Sequence, residues 1–149
     1  MILIDIGNTN IVFAISSNNL IRKIIRINTN QNKNKLTALI NNIIVDYLVT
    51  KRLDNEKVAI ISSVVPNLNS VITNILKKNL IIGFFIRYKD IIPFFKINYN
   101  LKEIGADRLA NSMAIVKDKI NNSIVIDFGT ATSFEVIKNN IFLGGIILP

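Results

Sequence analysis

The chain has 149 residues, half of them hydrophobic, and carries 18 Lys and Arg against 10 Asp and Glu for a net charge of +8. That length holds one domain or two small ones, with enough apolar residues for a packed core. Cys and His are both absent, which excludes disulfides, thiolate zinc sites, thiol nucleophiles and imidazole bases. Any proton acceptor is therefore a carboxylate, a Lys or a Tyr.

The opening run Met1–Ile4 meets Asp5 at once, without a charged leader region, so no signal peptide is expected. No apolar run approaches the ~18 residues that a membrane span requires. The basic residues are scattered, densest at Arg22-Lys23, Lys33–Lys35, Lys51-Arg52 and Lys77-Lys78. They form no stripe interleaved with stacking aromatics. The expectation is a cytoplasmic protein with neither a nucleic-acid nor a membrane partner, and with a surface that attracts anionic substrates.

In chain order, Ile2–Ile6, Asn10–Ser16 and Leu20–Asn28 read as strands. Gly7-Asn8-Thr9 and Ser17-Asn18-Asn19 form the turns between them. Arg22, Lys23 and Arg26 mark the wet positions of the third strand, which places it near a sheet edge. Leu36, Leu39, Ile40, Ile43, Ile44, Tyr47 and Leu48 recur at spacings of three and four, predicting a helix from about Lys35 to about Lys51. Lys57–Ser62 reads as a buried strand. Pro66 then suits a helix start, and Leu68, Val71, Ile72, Ile75 and Leu76 give that helix an apolar face. Ile81–Ile86 is another strand.

Tyr88–Leu101 is irregular and aromatic, and reads equally as a lid, a substrate wall or a packed loop. Leu109, Met113, Val116 and Ile120 recur at helical spacing, which puts Asp107 and Arg108 in a first helical turn. The helix macrodipole favours a carboxylate there, so spacing alone does not separate a helix-start Asp from a base. Ser123–Ile126, Thr132–Lys138 and Ile141–Leu143 read as strands, the last two joined at Asn139-Asn140. Gly144-Gly145-Ile146-Ile147-Leu148-Pro149 reads like the middle of a domain. A sheet needs a second layer over its apolar face, so the second domain is expected to be cut short.

Two stretches repeat. Ile4–Ile15 and Ile126–Ile137 superpose at an offset of 122 (127 − 5), Asp on Asp and Gly on Gly. Each ends an apolar run in Asp, places Gly two residues later, follows with hydroxyl and amide side chains, and resumes an apolar run. Gly7 and Gly129 permit a positive φ and a tight turn. Successive backbone N–H groups in such a turn can cradle anionic oxygens. The Asp beside each turn can hold a cation against a phosphate. One copy alone would read as an ordinary hairpin; two copies with matching flanks point to a nucleotide site.

Five segments then occur in order. They are Asp5-Ile6-Gly7-Asn8-Thr9-Asn10, Ser62-Ser63-Val64-Val65-Pro66, Gly105-Ala106-Asp107-Arg108, Asp127-Phe128-Gly129-Thr130-Ala131-Thr132 and Gly144–Pro149. Together they resemble the type III pantothenate kinases of the acetate kinase, sugar kinase, Hsp70 and actin superfamily.

The resemblance implies an α/β fold of two ribonuclease H-like domains, with mixed sheets and flanking helices. The first domain with its connecting helix would cover 1–119, and an incomplete second copy 120–149. It implies ATP-dependent phosphorylation of pantothenate, the first step of coenzyme A biosynthesis, by a homodimer using Mg2+ and a monovalent cation, K+ or NH4+. By position, Asp5, Ile6, Gly7, Asn8, Thr9, Asn10 and Thr130 would bind ATP, and Asp127 the monovalent cation. Gly105, Ala106, Asp107 and Arg108 would line the pantothenate site, with Asp107 as the catalytic proton acceptor. The family's substrate Tyr falls at Asn98, beside Tyr99, and its Pro at Leu101. A nucleotide-binding or regulatory module of the same fold, without kinase activity, is the alternative.

Overall fold

A computed structural model describes residues 1–17, 20–50, 57–91 and 93–149. Asn18 and Asn19 of the second turn, and Lys51 at the expected end of the first helix, lie outside the described residues. The chain divides into two compact units, Met1–Phe85 and Ile86–Pro149.

The first unit runs β1 (Ile2–Ile6), β2 (Asn10–Ser17), β3 (Leu20–Asn28), α1 (Lys33–Thr50), β4 (Val58–Ser63), α2 (Pro66–Lys78) and β5 (Ile82–Phe85). Its sheet has the order β3-β2-β1-β4-β5. β1, β2 and β3 form an antiparallel meander, while β4 runs parallel to β1 and β5 parallel to β4. β3 is an edge strand, as its charges predict.

Strand period 2 puts Ile2, Ile4 and Ile6 of β1 on one face with Ile11 and Phe13 of β2. Helical spacing puts Leu36, Ile40, Ile44 and Tyr47 of α1, and Ile72, Ile75 and Leu76 of α2, into the same core. Each such side chain contributes about 1.5–3 kcal/mol of burial. α2 starts on Pro66, whose fixed φ suits the first helical turn.

The second unit runs α3 (Tyr88–Ile91), β6 (Lys96–Ile97), a 3-10 turn at Leu101–Glu103, α4 (Ala106–Lys117), β7 (Asn122–Phe128), β8 (Thr132–Lys138) and β9 (Ile141–Leu148). Its sheet has the order β6-β9-β8-β7. β7, β8 and β9 are antiparallel, and β6 lies parallel to β9. The core joins Ile91, Phe95, Leu109, Ile137 and Phe142.

Three sequence expectations shift here. The compact units part after Phe85 rather than after residue 119, because α4 shares its core, through Leu109, with Ile137 and Phe142. Of the three open readings of Tyr88–Leu101 the packed one gains support: Ile91 and Phe95 are buried in that core and Lys96-Ile97 pairs with β9, while Phe94 is exposed. β9 runs on to Leu148 instead of stopping at Leu143. A register shift between Val136 and Ile137 passes over Leu143, and Gly144 beside it takes a φ of 123° that favours glycine.

The two units treat the repeated strand differently. Ile2, Ile4 and Ile6 are buried. Their counterparts at the 122-residue offset, Ile124, Ile126 and Phe128, are 65%, 49% and 82% exposed. No helix among the described residues is long and apolar enough to cross a membrane.

Candidate functional site

In the first unit, the turn between β1 and β2 is closed by the pair Ile6 and Ile11, leaving Gly7–Asn10 as the loop. The Gly7 N–H bonds to Asn10 O at 2.9 Å. Thr29, just past β3, ties the loop down twice. Its N–H donates to Thr9 O at 2.8 Å and its hydroxyl to Gly7 O at 2.8 Å. Two loop carbonyls are thereby turned into the protein, which favours the outward presentation of amide and hydroxyl groups that an anion site requires.

Parallel pairing sets Ser62 beside Asp5 and Ser63 beside Ile6, and Val64 N–H donates to Ile6 O at 3.0 Å. The Ser62–Pro66 segment therefore abuts the acidic turn. Ser63 Oγ bonds Asn69 and receives the Val65 N–H. Ser62 Oγ is buried without a hydrogen-bond partner among the described residues.

In the second unit, the pair Phe128 and Thr132 closes a loop of Gly129–Ala131, in which Gly129 N–H bonds Ala131 O at 3.1 Å. Neither glycine turn uses positive φ. The glycines serve close approach: a Cβ would lie 3.1 Å from Asn10 O at Gly7 and 3.4 Å from Ala131 O at Gly129. The second loop is also one residue shorter than the first. In a hairpin such a shift carries each following side chain to the opposite face.

Asp107 sits in the first turn of α4, half-buried, and its Oδ1 accepts the Arg108 N–H at 2.7 Å. One turn on, Asn111 donates its side-chain amide to Asp127 Oδ2 at 3.0 Å. Asn111, a residue the motifs do not single out, thus ties α4 to Asp127 of β7 from one helical turn beyond Asp107. Residues four apart share a helix face, which is the signal that could have found it. Among the described residues no three acidic groups cluster as a preformed metal site.

Arg108, expected beside substrate, is buried. Its Nε donates to Glu135 Oε1 at 2.9 Å, its Nη1 to Glu103 O at 3.4 Å, and its guanidinium lies 5.7 Å from the centre of the Phe142 ring. Glu135 is fully buried. Arg108 Nη2 and Glu135 Oε2 have no partner among the described residues. Glu135 was not legible as a site residue. At the 122-residue offset it stands where Phe13 stands, and only the shorter turn brings it to the α4 face.

Tyr99 packs edge-on to Phe142, with ring centres 6.0 Å apart, and lies against Gly144. A hydrogen bond to Glu103, together with that carboxylate's charge, pushes its phenol above the ordinary range. Asn98 contributes its N–H to Phe142 O.

The whole of residues 1–149 matches the model of the type III pantothenate kinase family. A type III pantothenate kinase of Thermosipho melanesiensis is 37% identical over 99% of this chain and 58% of its own length. One of Endomicrobium trichonymphae is 36% identical over 98% of this chain and 60% of its own. The chain therefore spans somewhat over half the length of the curated relatives it matches. Among solved structures, a Campylobacter jejuni protein described as a Baf family transcriptional activator is 25% identical, with a TM-score of 0.58 over 100% of this chain and 54% of its own. The fold is the ribonuclease H-like, actin-like ATPase fold, with mixed sheets and flanking helices. With its family motifs on two acidic hairpins and on the first turn of α4, the chain belongs to the type III pantothenate kinase family.

Proposed function

We propose that this chain carries the nucleotide loops and the catalytic carboxylate of an enzyme that phosphorylates pantothenate from ATP. The product would be 4'-phosphopantothenate, the first intermediate towards coenzyme A. The observation that carries the reading is the alignment of Asp107, Asn111 and Asp127 where α4 meets β7. Asp107 lies one helical turn from Asn111, whose amide reaches Asp127, and this supports reading the two carboxylates as base and cation ligand.

Asp5, Ile6, Gly7, Asn8, Thr9 and Asn10, with Thr130, would hold the ATP phosphates. Gly105, Ala106 and Asp107 would line the pantothenate site, with Arg108 supporting them from within. Phosphoryl transfer depends on placement and charge neutralisation more than on covalent chemistry. The acceptor hydroxyl would give its proton to Asp107, whose Oδ1 accepts the Arg108 N–H. A new O–P bond forms to the γ-phosphorus as its bond to the bridging oxygen breaks, and ADP leaves.

Oxygen donors suit the two cations the family resemblance implies. One carboxylate, Asp5, together with phosphate oxygens is a sufficient set for Mg2+. Asp127, exposed and oriented by Asn111, fits a monovalent cation, K+ or NH4+. When bound, such ions neutralise phosphate charge. A homodimer working in the cytoplasm completes the reading.

The test is ADP release and 4'-phosphopantothenate formation by the purified chain with Mg2+ and K+. Turnover that falls about 10²–10⁴-fold in Asp107→Asn supports the assignment of the base. ATP binding without pantothenate-dependent ADP release would replace the enzyme with a nucleotide-binding or regulatory module.

A further inference from the structure

We infer that Glu135 is a positioning residue for the Asp107 carboxylate and acts through Arg108. The inference deepens the kinase reading and rests on it.

Four contacts fix Arg108. Its Nε donates to Glu135 Oε1 at 2.9 Å. Its Nη1 reaches Glu103 O. Its guanidinium lies over Phe142. Its own carbonyl accepts the buried Ser112 hydroxyl at 2.8 Å. The Arg108 N–H in turn holds Asp107 Oδ1 at 2.7 Å. A displacement of Arg108 is therefore passed directly to the Asp107 carboxylate.

Among the described residues, Glu135 supplies the countercharge. The ion pair is buried on both sides, at 6% and 0% exposure, and a low dielectric strengthens such a pair while making a broken one costly. The neighbouring strand is shaped around it. Gly145 stands directly opposite Glu135 on β9, and a Cβ there would come within 2.7 Å of Arg108 Nη2. A guanidinium confined in this way makes a poor substrate ligand and a good rigid support. A misplacement on the order of 1 Å at a catalytic group can lower turnover about 10²-fold.

Glu135→Gln keeps the shape and one acceptor but removes the charge. Glu135→Asp keeps the charge on a shorter arm. Two readouts are taken on the whole chain: the side-chain Nε–H signal of Arg108 by 1H–15N NMR, and steady-state kinetics with ATP and pantothenate varied separately. The expected result is a protected Nε–H signal in the wild type that loses protection in Glu135→Gln and partly keeps it in Glu135→Asp. Turnover falls about 10²-fold in the Gln variant, while KM for ATP stays near the wild-type value.

An Nε–H signal indifferent to Glu135→Gln overturns the inference. So does a loss of turnover that only tracks the unfolded fraction. If the wild type transfers no phosphoryl group, the kinase reading fails by itself. Hydrogen exchange at the Leu109 N–H, which bonds Gly105 O in the first turn of α4, then decides. Faster exchange in Glu135→Gln supports the positioning role, and unchanged exchange ends it.

Discussion

Asn111 donates its amide to the carboxylate of Asp127 at 3.0 Å, from a position one helical turn beyond Asp107. The bond fixes one oxygen of an exposed carboxylate. Replacing Asn111 by Leu removes the orienting donor and leaves Asp127, the proposed cation ligand, in place. Loss of such an outer partner typically weakens a metal site by about tenfold or more. The expected outcome is a K+ activation constant raised about tenfold, measured by titrating K+ into the pantothenate assay. An unchanged constant would mean that the Asn111 bond does not orient a cation ligand.

The Arg108–Glu135 pair gives a sharp stability contrast. Glu135→Ala leaves the guanidinium buried without its countercharge, and such a half-deletion costs about 3–5 kcal/mol. Replacing both partners by apolar residues of similar volume, Arg108→Met with Glu135→Leu, removes the charge problem and is expected to cost far less. Urea denaturation of the two single variants and the double variant would show the difference as a coupling between the sites. Simple additivity would mean that the pair is not formed.

The same residues mark what the sequence discloses and what it hides. Period-2 burial of Ile2, Ile4 and Ile6, and the i, i+4 rhythm of Leu36, Ile40 and Ile44, are written in the residues themselves. The first hairpin, both long helices of the first unit and the edge position of β3 follow from such local signals. The fate of Glu135 does not. A Glu between Phe134 and Val136 reads as a wet position on a strand, yet it is fully buried. Its partner lies 27 residues earlier, and the turn that selects its face differs from its copy by a single residue. β6 spans only two residues, too few for any periodicity to show. Gly7 and Gly129 illustrate a third limit. Their presence signals a turn, but only the coordinates distinguish close approach from positive φ.

Two glycines of the second unit, Gly145 within β9 and Gly129 in the β7–β8 loop, should respond very differently to a methyl group. At Gly145 a Cβ would lie 1.8 Å from Phe134 O and 2.9 Å from its carbonyl carbon, both backbone atoms that cannot swing aside. Gly145→Ala therefore forces β8 and β9 apart, at about 3 kcal/mol, the upper end of ordinary overpacking costs. At Gly129 the nearest atom, Ala131 O, would be 3.4 Å away, and φ is not positive. Gly129→Ala is expected to change stability by less than about 1 kcal/mol. Equal denaturation midpoints for the two variants would contradict the close β8–β9 approach.

Tyr99 offers a pH signature. Its phenol donates to Glu103, and that bond with the neighbouring negative charge holds the proton above the ordinary value of about 10.0. The neutral form is the one favoured in the fold. Its contribution to stability is therefore complete below the ordinary phenol range and disappears as pH rises through the higher folded value. Absorbance at 295 nm, taken as the difference between the wild type and Tyr99→Phe, should show the Tyr99 phenol ionising later than free tyrosine. Tyr99→Phe should remove that late step, and Glu103→Gln should bring it down towards the ordinary range. A difference signal that titrates like free tyrosine would sever Tyr99 from Glu103.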